Sequence, residues 1–182
     1  MQHRDVMWQG EAFPEMEYAS FDWDPLTISG HGVVLWQSTP AAFRYVIQTD
    51  AEGISRTFEA WTKKGGRERH VHLVRGDDGG WLRDGRKSEE LRGCEDLDFA
   101  LTPATNTLAI RRLNLRSGET ARLTALWITS PDLEVKPLEQ QYERIDAVTY
   151  RYISLISGFE ALLTVDDAGI VVDYPGVWRQ VR

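Results

Sequence analysis

Residues 93–113 read GCEDLDFALTPATNTLAIRRL and set four charges among side chains that proteins usually bury. The four charges are Asp96, Asp98, Arg111 and Arg112. An unpaired ion costs several kcal/mol in a protein interior. These side chains must therefore pair with one another, reach solvent or face a polar ligand. The first outcome is structural and the last is functional, so this stretch bears on both the fold and the candidate site.

Outward from this stretch, apolar and polar residues alternate, and turn signals interrupt the alternation roughly every 8–12 residues. Phe43, Tyr45 and Ile47 show the period-two pattern of a half-buried strand. Lys64-Gly65-Gly66 predicts a tight turn between strands over 54–63 and 67–75. Residues 83–90 are polar and predict a surface loop. We expect about a dozen antiparallel strands and at most one or two short helices.

The number of strands predicts the shape of the sheet. An open sheet of this size twists, curls or splits, so the expected fold is mainly β, a curved or half-closed β-barrel. No linker or low-complexity tract divides the 182 residues, and we expect one domain over residues 1–182. Wide barrels leave an interior that side chains alone do not fill, which predicts a cavity.

Composition narrows the classes of partner. The net charge of −7 argues against nucleic acid, whose affinity comes largely from Lys and Arg. The N-terminal residues lack the apolar region of a secretory signal, and no apolar run could span a bilayer, so we expect a cytoplasmic protein without a transmembrane segment. Cys94 is the only cysteine, which excludes an internal disulfide and a zinc ribbon.

Several motifs resemble a known bacterial family whose members are described as putative glycolipid-binding proteins. The resemblance lies in residues 93–98, 102–103, 105–108 and 110–113, in Gly79 with Trp81, in Gln140 and Tyr142, and in residues 171–176. It spans most of the chain in the same order. This chain departs from the family pattern at Ala104 and Ala109, since the family has an aromatic residue near the first position and a proline near the second. The resemblance implies a partly closed, β-rich barrel, similar to lipid-carrier folds, that binds an amphiphile.

Asp96 and Asp98 lie two positions apart, so on a strand both carboxylates point to one face. Such a pair suits acid/base chemistry or cation binding, and retaining glycosidases hold two carboxyls about 5–5.5 Å apart. The alternative is that both acids form structural ion pairs with Arg111 and Arg112 across the sheet.

If residues 108–115 form a strand, Arg111 and Arg112 point to opposite faces, and only one arginine faces a closed interior. That arginine either binds an anionic headgroup or forms a bidentate ion pair with an aspartate. Asn106 lies in a segment suited to capping a turn or to binding a sugar hydroxyl.

Metal and cofactor sites are not indicated. His70 and His72 share a strand face, but the flanking charges favour a solvated face. The chain contains no P-loop, dinucleotide fingerprint, Gly-x-Ser-x-Gly or His-Glu-x-x-His motif. We therefore expect no metal, no cofactor and no catalytic residue.

These patterns favour a protein that holds a lipid or glycolipid in a barrel cavity without catalysis. The predicted ligand-binding residues are Asp96, Asp98, Asn106, Arg111, Arg112, Tyr142 and Tyr174. One alternative is an enzyme that uses Asp96 or Asp98 as general acid/base with an arginine as anion anchor. The other is a protein-interaction module with an exposed aromatic face.

Overall fold

The computed structural model describes residues 3–181, and all of its strands belong to one curved sheet that does not close. The strands are β1 His3–Gly10, β2 Glu15–Trp23, β3 Leu26–Trp36, β4 Thr39–Thr49, β5 Ser55–Lys64, β6 Arg67–Arg75, β7 Trp81–Arg83, β8 Arg86–Ser88, β9 Asp96–Phe99, β10 Thr120–Ile128, β11 Val135–Arg144, β12 Thr149–Ser154, β13 Glu160–Val165, β14 Val171–Tyr174 and β15 Trp178–Val181. A 3-10 turn spans Glu89–Leu91, and one α-helix, α1, spans Ala104–Leu113. The mainly β, half-closed fold predicted from the sequence is confirmed.

The order across the sheet follows the chain in two antiparallel runs. Strands β8 to β1 lie side by side, β1 pairs with β15, and β15 to β10 continue to β9 at the other edge. The terminal strands β1 and β15 therefore join the two runs. The predicted hairpin between β5 and β6 is present, and Gly65 and Gly66 both have positive φ, at 54° and 78°. Glycine takes this left-handed conformation without steric cost.

Three expectations are corrected. The sheet has fifteen strands among the described residues rather than about a dozen, since residues 83–90 contribute to a short β7–β8 hairpin and the 3-10 turn instead of a loop. The sheet is not purely antiparallel, because β9 and β10 run parallel. Residues 104–113 are helical rather than a turn leading into a strand. A parallel pair needs a crossover connection, and α1 supplies it.

Helix α1 begins after Thr102-Pro103, where the Thr102 hydroxyl accepts a hydrogen bond from the Ala104 amide at 3.0 Å. It ends at Asn114, whose φ and ψ of 42° and 46° are left-handed and whose amide donates to the Ile110 carbonyl. Most of the helix is buried, so it fills space that the curved sheet encloses.

The two faces of β9 have different partners. Phe99 packs edge-on against Phe43, Tyr45 and Phe58, with ring centroids 5.3–6.2 Å apart, and so joins the core beneath β4 and β5. Asp96 and Asp98 point to the opposite side, toward α1, β11 and β12. This orientation positions the two predicted acids.

Candidate functional site

Asp96 is buried and forms a bidentate ion pair with Arg112 of α1. The Arg112 Nε lies 3.0 Å from Oδ1 and its Nη2 lies 2.6 Å from Oδ2, which is the bidentate geometry of a strong arginine–carboxylate pair. Asp96 is 1% exposed, and Arg112 also contacts Glu95 at 2.9 Å. Burial raises the pKa of Asp96, and the hydrogen bonds from Arg112 oppose that shift. Asp96 and Arg112 therefore connect β9 to α1.

Asp98 has a different environment, which we call the Asp98 cluster together with Gln140 and Tyr152. The Gln140 amide donates to Asp98 Oδ2 and to the Tyr152 hydroxyl, the latter at 3.1 Å. The Tyr152 hydroxyl lies 3.5 Å from the same carboxylate oxygen. Burial raises the pKa of Asp98 to about 6, although the bond from Gln140 lowers it. Within residues 3–181, no hydrogen bond reaches Oδ1.

The predicted residues Asn106, Tyr142 and Tyr174 lie around this cluster. The Tyr142 hydroxyl donates to Asn106 Oδ1 at 2.8 Å, and the Tyr142 ring packs against Tyr152 at 5.3 Å. Tyr174 packs edge-on against Tyr152, 6.4 Å between centroids. Burial raises the pKa of both Tyr142 and Tyr174 above the ordinary tyrosine range. These phenols are therefore neutral hydrogen-bonding groups at physiological pH.

Arg111 lies apart from the other predicted residues. Its guanidinium stacks over Trp23 at 4.6 Å and donates to the Ala168 carbonyl at 3.0 Å. On a helix, residues 111 and 112 are about 100° apart rather than on opposite faces. The structure thus brings together the side chains of five of the seven predicted residues, with Tyr174 beside them, whereas the Arg111 side chain leaves α1 toward Trp23 and Ala168.

Two further potentially reactive side chains, Cys94 and His70, lie outside this group. Cys94 is buried, and burial raises its pKa to about 11, so it is a poor nucleophile. His70 is 2.9 Å from Glu59 on the outer face. Among the residues that the structure describes, no three His, Cys, Asp or Glu side chains are placed to hold a metal ion.

The sequence did not predict a groove on the outer face of the sheet, opposite the core. We call it the outer groove; its volume is about 680 Å³. Its lining residues come from β1 to β6 and are Met7, Met16, Glu17, Tyr18, His31, Gly32, Val33, Ala42, Phe43, Arg44, Trp61, Thr62, Lys63 and Glu68. Large apolar side chains are exposed to solvent here: the exposed fraction is 59% for Val33 and 41% for both Met7 and Met16. Such exposed apolar patches commonly mark binding surfaces.

One cross-strand row runs through the outer groove. In register across seven strands it comprises Val181, Met7, Tyr18, His31, Arg44, Trp61 and His70. Tyr18 packs against His31 with centroids 5.3 Å apart. The Arg44 guanidinium lies 4.2 Å from the Trp61 ring centroid. The row therefore places aromatic and cationic groups side by side on an apolar floor.

Glu17 contributes a buried carboxyl to the same region. It is 1% exposed and accepts a hydrogen bond from the Tyr45 hydroxyl at 2.6 Å, while its Oε2 is buried without a hydrogen-bond partner in the part of the chain that the structure describes. Burial raises the pKa of Glu17 to about 8. Tyr45 also contacts the Thr102 hydroxyl at 3.0 Å, which links β2 through β4 to the start of α1.

Comparison with known proteins shows the family of this chain. A family model described as "Putative glycolipid-binding" matches residues 5–180. The chain belongs to this family. It is also similar to the crystal structure of a DUF1089 family protein from Pseudomonas aeruginosa, with 32% identity, 92% of each chain covered and a TM-score of 0.84. A comparison with curated proteins gave no match.

Several residues that carry the resemblance to this family are buried in the core. Trp81 is fully buried and its indole N–H donates to the Cys94 carbonyl at 3.0 Å. Ala104 and Ala109, where the family pattern differs, are buried in α1. Within residues 3–181, no helix is long and apolar enough to cross a bilayer.

Sequence reasoning missed the outer groove because its lining residues are far apart in the chain. A signal was present, since Met7, Met16, Tyr18 and Val33 occupy outward positions of alternating strands where polar residues are typical. Recognising it required the pairing register of six strands. The inner side of the sheet, where the sequence predicts a cavity, holds buried residues of α1 and the core aromatic side chains.

Proposed function

We propose that this protein binds an amphiphile of the lipid or glycolipid class, without covalent chemistry, in the outer groove. The observation that carries the proposal is the groove itself. It has a volume of about 680 Å³ and largely apolar walls, and the cross-strand row of aromatic and cationic side chains runs through it. Ligand pockets commonly occupy about 300–1,000 Å³ and combine apolar walls with a few polar groups. The family description favours the same ligand class.

The groove offers separate contacts for the two parts of an amphiphile. Met7, Met16 and Val33 present flexible or branched apolar surface for an alkyl chain. Trp61 and Tyr18 present rings that stack on apolar surfaces, with a polar edge for hydroxyl groups.

The predicted residues give a second candidate position for the polar part of a ligand, at the Asp98 cluster. The specific observation is Asp98 Oδ1, which accepts no hydrogen bond within the described residues although the side chain is half-buried. We propose that this oxygen accepts a ligand hydroxyl, with Tyr174 and Phe159 as the neighbouring aromatic surface. In the same proposal Asn106 and Tyr142 support the cluster, Asp96 and Arg112 hold α1 in place, and Arg111 contributes no ligand contact.

Catalysis by Asp96 is disfavoured by this geometry, because both of its oxygens are engaged by Arg112. Asp98 has a pKa close to neutrality, as a general acid or base requires, but its hydrogen-bond partners within residues 3–181 are Gln140 and Tyr152, neither of which is a cationic anchor for an anion. A non-catalytic binding role fits these contacts better. The cytoplasmic location stays a prediction from the sequence.

The test begins with native mass spectrometry of freshly purified protein and organic extraction of any bound molecule. Single-chain amphiphiles, dodecyl maltoside and dodecyl phosphate, are then titrated below their micelle concentrations. Trp61→Leu is the test variant and Trp127→Leu is its matched control, because Trp127 lies on β10, outside the groove, with Lys136 5.0 Å from its ring.

The expected result is a bound amphiphile in the wild-type protein and in Trp127→Leu, with affinity at least severalfold weaker in Trp61→Leu. Loss of binding in Asp98→Asn with Trp61→Leu unaffected would move the site to the Asp98 cluster. Absence of binding to every amphiphile would overturn the proposal, and a co-purifying protein in that case would favour an interaction module.

A further inference from the structure

Several charged side chains at the outer groove form ion pairs, but Arg44 does not within the described residues. Lys63 lies 3.3 Å from Glu68, and Glu59 lies 2.9 Å from His70, so each carboxylate on this face has a basic neighbour. Arg44 has no carboxylate within ion-pair distance among residues 3–181, and its guanidinium lies 4.2 Å from the centroid of the Trp61 ring. The chain carries a net charge of −7, which makes an unmatched arginine on an apolar floor notable.

The remaining acid of the groove does not compensate Arg44. Glu17 lies on β2, two strands away from Arg44 on β4. Its carboxyl is buried and accepts a hydrogen bond from the Tyr45 hydroxyl on the core side of the sheet. Because burial raises the pKa of Glu17 to about 8, the carboxyl is mostly uncharged at neutral pH. The groove therefore has a surplus of positive charge at Arg44, with His31 as its cross-strand neighbour.

We propose that the amphiphile of the outer groove carries an anionic headgroup, a phosphate, sulfate or carboxylate, which Arg44 binds while the alkyl chain lies along Met7 and Met16. This inference rests on the proposed function and names its ligand class. A guanidinium binds such oxyanions through paired N–H donors.

Trp61 positions Arg44 for this role. The stacked ring covers one face of the guanidinium plane and leaves the N–H groups at its edge available to a ligand. Trp61 itself is held by His70, whose ring is stacked at 4.8 Å and 29°. An arginine already oriented by stacking loses less side-chain freedom when it binds.

The experiment compares three probes by calorimetric titration: dodecyl phosphate, dodecyl maltoside and inorganic phosphate. Arg44→Gln is the test variant, and Arg86→Gln, on β8 and outside the groove, is the control with the same change in net charge. Thermal unfolding of each variant verifies that it is folded. A series in NaCl measures the electrostatic contribution to binding.

The expected result is that wild-type protein and Arg86→Gln bind dodecyl phosphate about tenfold or more tightly than dodecyl maltoside, and that Arg44→Gln loses this preference. Equal affinity for both amphiphiles in the wild type, or an unchanged preference in Arg44→Gln, would overturn the anionic headgroup while leaving amphiphile binding intact. Inorganic phosphate binding as tightly as dodecyl phosphate would also overturn it, showing an adventitious anion only. Failure of both amphiphiles to bind would refute the proposed function itself.

Discussion

The Arg112 guanidinium holds both carboxylate oxygens of Asp96 from the last turn of α1, and it does so across the junction between helix and sheet. Asp96 lies on the edge strand β9, which pairs only with β10 in the described sheet. The ion pair therefore fastens the helix to the edge of the sheet. This relationship assigns to the fold two of the four charges in residues 93–113.

Arg112→Met should destabilise the protein strongly, because it leaves the Asp96 carboxylate buried without its partner. Breaking a buried ion pair in this way costs about 3–5 kcal/mol. Urea unfolding at neutral pH measures the loss. Arg111→Met is the matched control, since Arg111 stacks on the surface of Trp23, and it should cost roughly 1 kcal/mol or less. Similar losses in the two variants would contradict the assignment.

Glu17→Gln should change how stability depends on pH. The folded pKa of Glu17 is about 8, above the ordinary 4.5, so the folded protein binds the extra proton between these values. Stability then falls by up to about 1.4 kcal/mol for each pH unit as pH rises through that window. Unfolding measured from pH 5 to pH 8.5 should show a shallower decline in Glu17→Gln. Exposed Glu52→Gln serves as control, and an unchanged slope in Glu17→Gln would refute the prediction.

The Asp98 carboxyl should titrate near neutrality. Its pKa is raised to about 6, so it contributes stability at low pH that is lost as pH rises from about 4 through 6. Carbon-13 NMR of labelled aspartate should show one carboxyl with a midpoint near 6 that disappears in Asp98→Asn. A midpoint near 4 for every aspartate would mean that water reaches this carboxyl more fully than the structure shows.

Gly32→Ala should destabilise the sheet below the outer groove. A Cβ at Gly32 would lie 2.4 Å from the Met16 carbonyl oxygen and 2.5 Å from the Phe43 ring, closer than real contacts allow. Overpacking of this kind costs typically about 1–3 kcal/mol. Thermal unfolding measures it, with Ser29→Ala on the same strand as control. A melting temperature equal to that of the wild type would show that β2 and β3 can separate without cost.

Much of the fold could be predicted from local sequence. Phe43, Tyr45 and Ile47 recur at every second position, and they are indeed buried on the core side of β4. The glycines after Lys64 specified the β5–β6 turn. Period and turn chemistry are properties of a few consecutive residues, so they can be recognised without knowing the tertiary neighbours.

Helix α1 was missed for a physical reason. A surface helix shows a 3.6-residue apolar stripe, but α1 is buried over most of its circumference and shows no clear stripe. Its boundaries did carry signals, Thr102-Pro103 at the start and Asn114 at the end. A strand over residues 108–115 would place Arg111 and Arg112 on opposite faces of a sheet. Both lie on α1 instead, where Arg112 contacts Asp96 and Arg111 contacts Trp23.

By itself the sequence determined that this chain forms a curved, mainly β sheet and that its buried charges need partners. These conclusions depend on periodicity and on the cost of burying ions, both of which act locally. Only the tertiary structure decided which acid is paired, as Asp96 is and Asp98 is not, and that the apolar groove lies on the outer face. Those features arise from the register of strands distant in the chain, where one residue of slip would move every side chain to the other face of the sheet.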